Sequence, residues 1–166
     1  MRAQLYSVQG LSTGRLSTMA RPRGGDWLLD EIKAIRAAGV DVLVSLLTPD
    51  EVKELDLAEE AEFCRLQDVM YLSFPIQDLS IPPFSAFTFA FLAQLKAYLL
   101  EGKYLVLHCR QGIGRSSLMA ASVLVLLGSS PEQAFELLSL ARGCPVPETQ
   151  EQKAWAVAFA REYRAK

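Results

Sequence analysis

Tyr104-Leu105-Val106-Leu107-His108-Cys109-Arg110-Gln111-Gly112-Ile113-Gly114-Arg115-Ser116-Ser117-Leu118 is the stretch that decides the fold. Its first four residues form an apolar run of strand length, the pattern of a strand buried on both faces. Gly112 and Gly114 break the run, so Cys109 to Gly114 reads as a loop. Arg115 to Leu127 is apolar and of helical length, with Gly128 just past its end. The unit is therefore strand, short loop, helix.

The same alternation continues on both sides. Val40 to Leu47 is a second β-branched, apolar run and reads as a buried strand. Thr48-Pro49-Asp50-Glu51 has the form of a capping box with Pro at the first helical position, and an acidic amphipathic helical region follows to about Gln67. Met70 to Phe74 is the next strand. Pro75 to Pro83 contains Pro75, Pro82 and Pro83 and must be a loop. Ser85 caps a long helix closed by Gly102, with Phe84 stapled onto Phe89. Towards the N-terminus, Leu5 to Val8 and Arg15 to Thr18 read as short strands. Asp26 is placed to cap a helix that turns Leu28, Ile32 and Ile35 inward and ends at Gly39. After Gly128, Ser130-Pro131-Glu132-Gln133 opens a helix stopped at Gly143, and a last helix runs from about Thr149 to Arg164. Alternating strands and helices imply an α/β fold. We expect a central, mostly parallel sheet of about four or five strands flanked by helices on both faces, within one domain spanning residues 1–166. Right-handed crossovers put the loops after parallel strands on one sheet edge. The Pro75–Pro83 loop, with Asp78, should therefore neighbour the Cys109–Gly114 loop.

Composition removes several kinds of chemistry. The chain has 166 residues, 17 Lys plus Arg and 19 Asp plus Glu, a net charge of −2. A near-neutral chain is not expected to bind nucleic acid generally, because such binding feeds on clustered excess cations. There is one histidine, His108, which excludes two-His metal motifs, and no metal or other cofactor is expected. Three cysteines, Cys64, Cys109 and Cys144, are too few and odd in number for a disulfide framework and fit a reducing compartment. No leader is visible, and the longest apolar run, Leu118 to Leu127, is too short to span a bilayer. A soluble, cytoplasmic protein with no membrane partner is expected.

The loop between Cys109 and Arg115 has a distinct chemical capacity. Its glycines let the backbone curl so that N–H groups point inward and form an anion nest. The helix that follows adds free N–H groups and the positive end of its dipole. Arg115, at the helix start, can grip two oxygens of a tetrahedral anion. The field that attracts an anion also favours a thiolate at Cys109, and a thiolate under a bound phosphate is positioned for in-line attack. The bare spacing Cys-x5-Arg is weak by itself. The flanking strand and helix, the two glycines and Ser116 next to Arg115 make it specific. Cys64 and Cys144 do not complete the pattern, since Met70 and Gln150 stand six residues on.

His108-Cys109-x5-Arg115-Ser116 resembles the signature of the cysteine-based protein tyrosine and dual-specificity phosphatases, and the domain size resembles the compact dual-specificity type. The resemblance implies a two-step hydrolysis of phosphomonoesters through a phosphocysteine. Cys109 is then the nucleophile and Asp78 the general acid and base. Arg110, Gln111, Gly112, Ile113, Gly114 and Arg115 form the phosphate-binding loop. Ser116 hydrogen-bonds the sulfur, and no metal takes part. The implied partner is a phosphoprotein or phosphopeptide. Larger tyrosine phosphatases carry a Trp before the Pro-Asp of this loop, whereas here Gln77 precedes Asp78 with no Trp; Glu148 falls where their water-positioning Gln stands, and Gln152 matches their second Gln. No counterpart of their phosphotyrosine-recognition loop is found, which implies a shallower pocket that also admits phosphoserine and phosphothreonine.

Simpler readings stand beside these. His108 is read as a core residue that supports the loop by hydrogen bonds rather than by proton transfer. Thr149-x-x-Gln152 is also a capping box, so Gln152 stays open between the two roles. Asp68 and Asp50 rival Asp78, but the first precedes its strand and the second belongs to a capping box. Cys64 reads as a buried helical thiol more readily than as a redox partner of Cys109. Phe84, Phe87, Phe89 and Phe91 read as core, and Arg21 and Arg23 as a solvated loop. Two further functions compete with protein dephosphorylation: a phosphatase for phosphoinositides, nucleotides or RNA ends, and a phosphate-binding pseudophosphatase. Lipid-directed relatives tend to carry lysines in the loop, where this chain has Gln111 and Ile113, and a pseudophosphatase would have lost Cys, Arg or the acid.

Overall fold

The computed structural model describes residues 1–164. Five strands form one sheet: β1 (Tyr6–Ser7), β2 (Arg15–Ala20), β3 (Val42–Ser45), β4 (Met70–Ser73) and β5 (Tyr104–Cys109), in the order β1-β2-β5-β3-β4. Only the β1–β2 pair is antiparallel. β5 lies at the centre, parallel to β2 with Ala20 opposite Cys109, and to β3 with Ser45 opposite His108. The helices are α1 (Leu28–Ala37), α2 (Pro49–Glu54), α3 (Glu60–Leu66), α4 (Ala86–Leu100), α5 (Arg115–Leu126), α6 (Pro131–Arg142) and α7 (Gln150–Arg164). This is the expected α/β architecture with a mostly parallel sheet.

Period-two alternation along β5 distributes its side chains between two cores. Leu105, Leu107 and Cys109 face a core built largely from α4, α5, α6 and α7, with Leu92, Leu95, Leu99 and Leu118 in it. Tyr104 and Val106 face a second core with Ile32 and Ile35 of α1 and Cys64 of α3. Every residue of α5 is buried. It is apolar all round because it is sandwiched between the sheet and the other helices, and burying a leucine there contributes on the order of 2 kcal/mol.

Several local expectations change. Asp26 does not cap α1; a 3₁₀ turn over Gly25–Trp27 leads into it, and its N-cap is Trp27, with no side-chain cap bond. The region after Thr48 is not one helix: α2 and α3 are separated at Asp56, whose φ of 56° is left-handed and ends regular helix. Strand β3 is only Val42–Ser45, although the Leu46 N–H still donates to the His108 carbonyl and its carbonyl accepts from the Ile76 N–H. The capping boxes at Thr48 and Ser130 form as read, with both reciprocal bonds. Ser85 accepts from the Thr88 N–H, and Phe84 meets Phe89 edge to face at 4.9 Å. Not all four phenylalanines are core: Phe87 is 74% exposed and Phe84 49%.

Candidate active site

The last residue of β5 and the first of α5 bracket the loop. Gly112 has φ 74°, a conformation glycine adopts without strain. A Cβ there would stand 2.7 Å from the Met19 carbonyl carbon, because the loop presses on the end of β2. The Arg21 N–H also donates to the Arg110 carbonyl at 3.2 Å, tying the loop to the same strand end. The Cys109 Sγ lies 3.3 Å from Ser116 Oγ, and both residues are buried. A hydroxyl at that distance can donate to a thiolate.

Asp78 and the loop meet as the topology requires. Asp78, Cys109, Arg110, Gln111, Arg115 and Glu148 line one small cavity of about 40 Å³. Arg115 Nη2 donates to Asp78 Oδ1 at 3.0 Å across 37 residues of sequence, and Arg115 Nη1 donates to the Ile76 carbonyl at 2.8 Å. The loop that carries Asp78 is also held from behind. Gln152 Nε2 donates to the Ser80 carbonyl at 3.1 Å, and Trp155 Nε1 donates to the Pro82 carbonyl at 3.0 Å. The remaining bonds of Gln152 form the capping box with Thr149, and its Oε1 also accepts from the Glu148 N–H. Gln152 is fully buried as a structural clamp, and the cavity is lined instead by Glu148. A larger groove of about 430 Å³ between α6 and α7, with Phe135, Val146 and Val157 in its walls, includes none of Asp78, Cys109 and Arg115.

Two carboxylates matter here that the sequence did not single out for the site. Glu51 receives Arg115 end-on, Oε1 from Nη1 at 2.7 Å and Oε2 from Nη2 at 3.0 Å, while Oε2 also accepts from Arg110 Nε at 3.3 Å. Burial pushes the Glu51 carboxyl up, but Arg115, the Thr48 backbone N–H and Arg110 outweigh it and hold it at about 2. Burial alone would lower Arg115, and the Glu51 carboxylate, with Cys109 and Asp78 nearby, raises it instead. The second carboxylate is Glu60 of α3, whose Oε1 lies 2.6 Å from His108 Nε2 with both side chains fully buried. His108 is thus anchored from the sheet face opposite Cys109, which gives the supporting role expected of it a specific partner. Glu60 Oε2 has no hydrogen-bond partner among the described residues.

Cys64 is buried in the second core, and burial, with the Glu60 charge adding to it, pushes its thiol up to about 12. Arg21 and Arg23 do not line the cavity; Arg23 pairs with Glu31 and stacks on Trp27. Among the described residues, no group of three or more His, Cys, Asp or Glu is placed to hold a metal ion, and no helix is long and apolar enough to cross a membrane.

Residues 17–129 match the model of the family Tc-R-P, "Polymorphic toxin system, DSP-PTPase phosphatase". The chain belongs to this family. As a DSP-PTPase phosphatase it is a phosphoric monoester hydrolase. Solved structures share the DSP-PTPase architecture. Kinase associated phosphatase, with serine substituted for its catalytic-site cysteine, superposes with a TM-score of 0.89 at 20% identity, over 100% of this chain and 98% of that one. Tk-PTP in its active form gives 0.72 at 26% identity, over 89% and 92%. PTPMT1 in complex with PI(5)P gives 0.69 at 19%, over 92% and 93%. No curated protein matches at a significant level.

Proposed function

We propose that this phosphatase dephosphorylates proteins, with Cys109 as nucleophile, Arg115 as phosphate ligand and Asp78 as general acid and base. In the first step the Cys109 thiolate attacks phosphorus. An S–P bond forms, the P–O bond to the leaving group breaks, and Asp78 gives its proton to the departing oxygen. In the second step water attacks the phosphocysteine, the P–S bond breaks, and Asp78 takes the proton from that water. Arg115 and the loop amides balance charge on the equatorial oxygens. Ser116 steadies the sulfur as it leaves. The rest of the loop, Arg110 to Gly114, holds the anion. His108 supports the loop from below, and Gln152 acts through the Asp78 loop.

One observation carries the reading: Cys109, Arg115 and Asp78 line the same small cavity. With no counterpart of the phosphotyrosine-recognition loop of larger tyrosine phosphatases, the site is read as admitting phosphoserine and phosphothreonine as well as phosphotyrosine. The three free cysteines suit a reducing cytoplasm. The test is phosphate release from phosphotyrosine and phosphothreonine peptides, phosphoinositides and nucleotides, with trapping of the phosphoenzyme by acid quench. Phosphopeptides should be turned over fastest, and Cys109→Ser should abolish both turnover and the trapped adduct. Retained turnover in that variant would reject Cys109, and a preference for phosphoinositides or nucleotides would reject the protein substrate.

A further inference from the structure

The Arg115 guanidinium has no terminal hydrogen to spare. Nη1 donates to Glu51 Oε1 and the Ile76 carbonyl, and Nη2 donates to Glu51 Oε2 and Asp78 Oδ1. A guanidinium carries two hydrogens on each terminal nitrogen and one on Nε, so these four bonds use every terminal hydrogen. A two-point grip on a tetrahedral anion needs two adjacent N–H groups. Glu51 takes the end of the fork, and Ile76 takes the outer hydrogen of Nη1. The edge left for an anion is Nε with Nη2, and Asp78 occupies the Nη2 half of it. Of the two carboxylates on Arg115, Asp78 is the one free to leave: its side chain is 47% exposed, against 9% for Glu51.

We propose that Asp78 is a built-in competitor for the phosphate site, its carboxylate standing on Arg115 where a phosphate oxygen will stand until substrate displaces it. This rests on the roles proposed above for Arg115 and Asp78. The groups facing Asp78 are Arg115 from α5, Cys109 at the end of β5, Arg110 from the loop after it, and Glu148 from the segment before α7, with Glu51 of α2 behind the guanidinium. While Asp78 holds Arg115, its carboxylate is paired with a cation. Once a dianion takes that N–H, Asp78 leaves its cation and faces the dianion, Glu148 and Cys109.

Sulfate, which reads the competition without turnover, is the probe. Its binding is measured by calorimetry on the Cys109→Ser protein, in which the proposed nucleophile is absent. Adding Asp78→Asn should tighten sulfate roughly three- to fivefold, the scale of a partly exposed ion pair. Glu148→Gln removes the same charge from the same cavity without touching Arg115, and it should tighten sulfate less. Unchanged or weaker sulfate binding in Asp78→Asn, or an equal gain from Glu148→Gln, would overturn the competition. If Asp78→Asn slows turnover of a poor leaving group without tightening sulfate, the acid role stands and the competition falls. The reverse pattern upholds the competition and removes the acid role.

Discussion

Glu51 and Arg115 stand 64 residues apart in sequence and meet end-on, at 2.7 and 3.0 Å, with both side chains out of solvent. Arg115 is only 2% exposed, and Glu51 is what makes that burial tolerable. Glu51→Ala should therefore act on stability and on the site together. Leaving the guanidinium with only Asp78 and the Ile76 carbonyl should cost about 3 kcal/mol in urea unfolding. It should also lower kcat/KM by about 10- to 100-fold, since a misaimed cation loses much of its value in the transition state. A stable, fully active variant would show that Ile76 and Asp78 suffice to hold Arg115.

The same pair sets an acid limit. The carboxyl of Glu51 is held at about 2 in the folded protein, below its ordinary value of 4.5. The folded state therefore binds this proton less readily than the unfolded state. The stability this contributes is complete above about pH 4.5 and is lost as the pH falls from there towards 2. Unfolding free energy measured across that window should fall more steeply for the native protein than for Glu51→Gln, which has no proton to gain.

Asp78→Asn should discriminate among leaving groups. For an alkyl phosphate such as phosphothreonine, the departing oxygen needs a proton, and turnover should drop by about 10²- to 10⁴-fold. For a nitrophenyl phosphate, whose oxygen leaves unassisted, the first step should change little, which burst kinetics can follow. Equal losses on both substrates would assign the acid elsewhere.

Glu60 and His108 form a buried pair on the far side of the sheet from the cavity. Glu60→Ala strips His108 of its partner and should destabilise the fold by roughly 3 kcal/mol, whereas Glu60→Gln keeps a hydrogen bond and should lose less. Denaturant midpoints of the two variants give the comparison, and equal midpoints would mean that the contact does not hold the strand.

Cys64 should be inert in the folded enzyme. Its thiol is fully buried and pushed up to about 12, and it faces the core opposite to that of Cys109. Mass spectrometry after native alkylation at mildly alkaline pH should find Cys109 labelled and Cys64 untouched. Peroxide should give no disulfide between them; such a crosslink would require the sheet to open.

Much of this was legible in the residues. The strand, loop and helix around Cys109 each carry a local signal, and parallel topology alone brought Asp78 to the same edge. Glu51 escaped because its capping box already accounted for it, although its Oε1 caps Thr48 and holds Arg115 at once. Glu60 escaped because an acidic, amphipathic stretch suggests a solvated face. Only alternation along β5, which turns His108 away from Cys109 and towards α3, makes a buried glutamate sensible there. Gln152 was legible as a cap, but not as the clamp on Ser80, because that bond joins segments 72 residues apart.

The two bonds from Gln152 and Trp155 to the carbonyls of Ser80 and Pro82 come from α7, beyond the 17–129 stretch that matches the family. The loop proposed to cradle the anion follows the central strand, and the loop of the proposed proton donor leans on the last helix. A mutation that shifts α7 by a fraction of an ångström would move the Asp78 carboxylate on Arg115. On the proposed roles, the last helix thereby reaches both the holding of a phosphate and its cleavage, through a single carboxylate.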